Sequence, residues 1–151
     1  MQITIVKAAG RSHRAVAVRD DGVAVQFAVA DYGDRLPHDL VHYLVESTLG
    51  LEWGFWGLVA AGAELDAVAR HRARHRRDLP HHPDPRVDEH GDELLRAEAL
   101  VAEACPLSDG EPGGPGTPVA GLSQRIEEWN ATWQGLAPGE RLRFEWPPPP
   151  G

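Results

Sequence analysis

Hydrophobic and polar residues alternate in three runs near the start of the chain. QITIVKA places Ile3 and Ile5 on one side, RAVAVR does the same with Val16 and Val18, and VAVQFAVA with Val23, Val25, Phe27 and Val29. A period of two predicts half-buried β-strands. Arg19-Asp20-Asp21-Gly22 separates the second and third runs, and its Asp-Gly pair suits the positive φ angles of a tight hairpin. Strands two and three are therefore expected to pair.

The period then lengthens. Between Pro37, which fits the start of a helix, and Gly50, a natural stop, Leu40, Val41, Leu44, Val45 and Thr48 form one apolar stripe. A second helix is expected from near Phe55 to Arg77, with Gly54, Gly57 and Gly62 permitting close packing in its first part. Pro80, Pro83 and Pro85 break helical structure and predict a loop over 78–88. DELLRAEALVAEA reads as a short amphipathic helix, and Pro106 to Pro118 as a flexible polar linker. Val119, Leu122, Ile126, Trp129 and Trp133 recur at helical steps, and Leu142, Phe144 and Trp146 alternate with charged residues as a final strand. Strands at both ends with helices between them predict one α+β domain over 1–146, a largely antiparallel sheet covered on one face by helices, followed by a proline-rich tail over 147–151.

Composition narrows the function classes. The 151 residues include 42% hydrophobic and 25% charged side chains, ordinary proportions for a chain that folds. A net charge of −8 argues against nucleic-acid binding, which relies on cationic side chains displacing counterions. Of 15 basic residues only Lys7 is a lysine, a bias expected of a GC-rich bacterial genome. A single cysteine, Cys105, excludes an internal disulfide and thiolate metal cages. The sequence has no secretion-type leader and no apolar run approaching about 20 residues, so a cytoplasmic location without membrane contact is expected.

The chemistry with the most specific spacing lies in LPHDLVHYLVE, Leu36 to Glu46. Residues four apart on a helix lie about 40° from each other, so His38, His42 and Glu46 project from a shared face. Two imidazoles and a carboxylate are a ligand set of catalytic zinc sites. Over this helix and the next, the chain resembles the zinc metallopeptidases built on H-E-x-x-H, with His38-Asp39-Leu40-Val41-His42 in the motif's place. The resemblance implies zinc as cofactor, a third ligand on the following helix, where Glu64 stands, and Asp39 near the metal-bound water. Asp39 is one methylene shorter than the family's glutamate base. The His-Asp pair also looks like that of HD-type phosphohydrolases, though the only earlier histidine, His13, adjoins a strand. LPHDLVHY-like segments of uncharacterised bacterial proteins are similar too, and that likeness brings no activity with it.

Against the metal reading stands the polarity of the helix. With the aliphatic stripe inward, His42, Glu46 and Asp39 fall on the opposite, solvent-facing side, and Asp39 suits the helix dipole in the first turn. The sequence on its own therefore favours a non-catalytic binding or regulatory module with an unidentified protein or small-molecule partner, and a zinc-dependent hydrolase-like site as the alternative. Trp53 and Trp56, between glycines, and Arg70 and Arg74, in RHRARHRR, are the candidates for an interaction surface. His81, His82 and His90 with Asp84, Asp88 and Asp92 form a His/Asp-rich loop capable of loose ion binding.

Overall fold

The structure, a computed structural model, describes residues 1–10, 12–30, 32–33, 35–63, 84–105 and 113–147. The fold is α+β. Strands β1 (Gln2–Val6), β2 (Ser12–Val18), β3 (Ala24–Ala30) and β4 (Arg141–Glu145) form an antiparallel sheet in the order β3-β2-β1-β4. Three strands thus come from the start of the chain, and the last one closes against β1. The β2–β3 hairpin turns through a three-residue loop in which Gly22 alone takes positive φ (82°), while Arg19 and Val23 pair across its base.

Five helices lie among the described residues: α1 (His38–Leu49), α2 (Phe55–Ala60), α3 (Pro85–Glu89), α4 (Gly91–Ala104) and α5 (Leu122–Gly135). They cover the sheet face that carries Ile3, Ile5, Ala15, Ala17 and Val29, all buried, while Gln2, Arg14, Gln26, Arg141 and Arg143 stay exposed on the other. This phase corrects one expectation. Val18 is exposed and Ala15 and Ala17 point inward instead. The neighbouring strands impose that choice, because Ala15 pairs with both Ile5 and Phe27, and Ala17 with both Ile3 and Val25. Each cross-strand row then reads large, small, large, which lets the rows interdigitate with the helices above.

Other boundaries shift for local reasons. Helix α2 ends at Ala60 rather than continuing through the described residues, since Gly62 takes positive φ (84°). Residues 64–77 lie outside the described residues. Of the expected loop over 78–88, residues 78–83 lie outside the described residues, and Pro85–Glu89 form helix α3, where Asp84 accepts the Arg86 backbone N–H and Pro85 fills the first helical position. Of the expected linker over 106–118, residues 106–112 lie outside the described residues; Gly113 N–H donates to Glu103 O at the end of α4, and Val119, just after the linker, is buried. Among the described residues no helix is long and apolar enough to cross a membrane.

Candidate metal centre

Helix α1 is the structural axis of the site. Pro37, extended at ψ 140°, precedes it, and Gly50 ends it in the left-handed conformation (φ 66°) with its N–H on Glu46 O. Every residue from Asp39 to Glu46 is buried. The solvent-facing side expected for Asp39, His42 and Glu46 does not exist: they are 3%, 0% and 0% exposed. Thr48, placed in the apolar stripe, is exposed and accepts a hydrogen bond from Arg125. The helix is enclosed because α2, α4 and α5 all pack on it in addition to the sheet. One apolar stripe marks the inner side of a surface helix, not of a helix surrounded by others.

Burying Glu46 requires donors for its oxygens, and the chain supplies three. Oε1 accepts His42 Nδ1–H (2.8 Å) and Phe55 N–H (2.8 Å), and Oε2 accepts Trp56 N–H (3.0 Å). The two backbone donors belong to the first turn of α2, where N–H groups have no partner within the helix. Gly54 makes this approach feasible, since a Cβ there would stand 2.3 Å from Glu46 Cδ. Gly57 has a similar role, because a Cβ would meet Glu52 O at 1.7 Å. Trp56 then donates its indole N–H to Asp39 O (2.9 Å), tying α2 to the first turn of α1. Helix α4 adds a second carboxylate to the same connection, Glu93 accepting Trp53 N–H (2.8 Å).

The bond to Glu46 fixes the chemistry of His42. A carboxylate only accepts, so Nδ1 carries a proton, and Nε2 presents a lone pair when the ring is neutral. That Nε2 lies 3.2 Å from His38 Nε2 and 3.3 Å from Glu98 Oε2, and His38 Nε2 lies 3.4 Å from the same Glu98 oxygen. Ligands held about 2.0–2.1 Å from a tetrahedral centre stand about 3.3–3.4 Å apart, so these edges match a zinc-sized site. His42 is sealed from solvent, whereas the His38 and Glu98 side chains are 22% and 25% exposed. His38 and Glu98 are thus the partly exposed members of the cluster.

His38 and His42 are brought together as the four-residue spacing implies. Glu46 is adjacent, yet its oxygens are occupied by His42 Nδ1 and α2, so it orients the His42 ring and is not one of the converging groups. Glu64, the other third-ligand candidate, and Arg70 and Arg74 lie outside the described residues. Sequence reasoning missed Glu98. Its signal was nonetheless present: Glu98 follows Leu94 by four and precedes Val101 by three, so it sits on the buried stripe of α4, where a carboxylate needs a partner. The backbone of Asp39 is committed to Trp56, and among the described residues its side chain is not part of the converging cluster.

The remaining candidates have structural places. Trp56 is fully buried and cannot form an exposed interaction surface. Trp53 is partly buried and stacks on His90, with centroids 3.6 Å apart and planes within 4°. Asp84 caps α3, and His81 and His82 lie outside the described residues. Cys105, at the end of α4, is half-buried, and burial pushes its thiol pKa up despite the opposing charge of Arg35. No family model, curated protein or solved structure matches the chain.

Proposed function

We propose that this protein binds one divalent metal ion, zinc by preference, through His38 Nε2, His42 Nε2 and Glu98 Oε2, and uses it for hydrolase-like chemistry. The observation that carries the reading is the convergence of three ligand-type atoms, two imidazole nitrogens and a carboxylate oxygen, 3.2–3.4 Å from one another around a buried imidazole. Without a cation or extra protons, such atoms repel each other in a site of low dielectric. Two imidazoles and one carboxylate are a ligand set of catalytic zinc sites, which is the ground for naming zinc.

Three protein ligands are the catalytic arrangement, in which a fourth position holds water. Bound zinc lowers the pKa of such a water to about 7 and polarises a carbonyl or phosphoryl oxygen. The chain's own residues divide the remaining work. Glu46 holds the His42 tautomer, Gly54 leaves room for Glu46, and α4 delivers Glu98. The exposed edges of His38 and Glu98 leave a route for substrate. The non-catalytic reading rested on a solvated His42 and Glu46, and their burial removes that support.

The test is zinc titration against a chromogenic chelator, followed by ester, amide and phosphoester hydrolysis assays on the loaded protein. The expected result is one site, weakened in Glu98→Gln and His42→Ala, with hydrolysis that chelation abolishes and zinc restores. A tight site with no turnover above free zinc would leave a structural or regulatory metal and contradict the enzyme reading.

A further inference from the structure

The sheet has two edges, and the chain treats them differently. The β4 edge is short and guarded: its exposed side chains include Arg141 and Arg143, and Glu145 O accepts the Tyr43 hydroxyl (3.1 Å). The β3 edge, Ala24–Ala30, is seven residues long and carries no charged residue and no proline. Its free backbone groups follow from the register. Arg19 N–H donates to Val23 O across the hairpin base, and bonded pairs alternate along an antiparallel ladder, so Val25, Phe27 and Val29 bond to β2. Ala24, Gln26, Ala28 and Ala30 therefore turn their N–H and C=O groups away from the sheet. All four are exposed, and among the described residues no strand pairs with them on that side. Of the large apolar side chains exposed among the described residues, Val18 and Val23 stand at one end of this strand and Tyr32 at the other, with only Leu95 elsewhere.

We propose that the β3 edge is a self-association interface, on which a second copy of this chain pairs antiparallel about a two-fold axis beside Phe27 and joins two four-stranded sheets into one. The strand is self-complementary under that operation. Placing Phe27 opposite Phe27 of the second copy sets Ala24 opposite Ala30 and Gln26 opposite Ala28, so every outward-facing residue meets another outward-facing residue. Each such pair exchanges two backbone hydrogen bonds, about eight in all over the four pairs. No like charges face each other along the strand, and Gln26, the one long side chain of the outer row, stands opposite an alanine. The two-fold also carries Val23, at the hairpin end of one copy, toward the Tyr32 end of the other, where apolar side chains are otherwise left in water. A foreign strand gains nothing from this symmetry. A second copy uses all of it, and occupies the edge in both molecules so that association stops at the dimer.

Sedimentation equilibrium of the full chain is the test, and the wild type is expected to be a dimer. Gln26→Pro removes an outward N–H that has no partner within the sheet, so it is expected to give a monomer whose circular dichroism matches the wild type. Two charge variants read the register without relying on proline. Gln26→Lys combined with Ala28→Lys sets lysines opposite lysines and is expected to weaken the dimer at least about fivefold. Gln26→Lys combined with Ala28→Glu sets lysines opposite glutamates and is expected to keep it. A monomeric wild type overturns the proposal, as does a dimer unchanged in a folded Gln26→Pro chain. Weakening by the lysine–glutamate variant that equals or exceeds that by the lysine–lysine variant overturns it too, and this contrast decides alone if Gln26→Pro fails to fold.

Discussion

Glu46 places a carboxylate where no water reaches, and its three donors decide what the neighbouring imidazole can do. Glu46→Gln keeps the shape but puts an amide N–H₂ against a backbone N–H or against His42 Nδ1. Such outer contacts to metal-bound histidines are worth about 10- to 100-fold in metal affinity, so zinc binding is expected to weaken by that factor. Chelator competition measures it, and an unchanged affinity would contradict the orienting role. Gly54→Ala is expected to weaken zinc binding as well, although it alters no ligand, because the added Cβ would stand 2.3 Å from Glu46 Cδ. Comparing the zinc affinities of Gly54→Ala and Gly91→Ala checks this, since a Cβ at Gly91 meets nothing within 4 Å.

Cys105 gives a pH prediction at the same scale. Burial raises its pKa, so the thiol stays protonated through the ordinary thiol range and the reactive thiolate forms only above it. Alkylation by iodoacetamide should therefore be slow at neutral pH and rise at more alkaline pH than for a free thiol. In Arg35→Ala the profile should move further upward, because the favourable charge is gone. Rapid alkylation of the wild type near neutrality would contradict it.

Among the elements, the sheet and α1, α4 and α5 were legible because their periodicity is regular and their stops are Gly and Pro. The orientation of α1 was not. Leu40, Val41, Leu44 and Val45 mark one inner side correctly, but the wheel cannot show that α2, α4 and α5 close over the other. Glu98 escaped for a related reason, since its partners lie 56 and 60 residues away and only the packing of α4 on α1 brings them together. The phase of β2 is not legible from side-chain size, because pairing on both sides turns Ala15 and Ala17 inward and leaves the larger Val18 exposed. Trp56 is the element-scale support of the site, fully buried and bonded to Asp39 O. Trp56→Ala should cost about 3–5 kcal/mol of folding stability. Urea denaturation checks this, and a cost below about 1 kcal/mol would show that α1 and α2 are held together by other contacts.

At the scale of the whole molecule, an α+β architecture encloses one cluster of buried polar residues. Most of the core is aliphatic and aromatic, as composition implies. Its exceptions are concentrated: of five buried polar residues among the described residues, Asp39, His42 and Glu46 fall on α1. Three hydrogen bonds offset the burial of Glu46, and a cation at the proposed His38–His42–Glu98 site would engage the buried His42. The most direct measurement is elemental analysis of the purified protein after dialysis with zinc, beside the His38→Ala, His42→Ala double variant. The account predicts about one equivalent of zinc in the wild type and less than about a tenth in the variant. Equal, substoichiometric metal in both would contradict it.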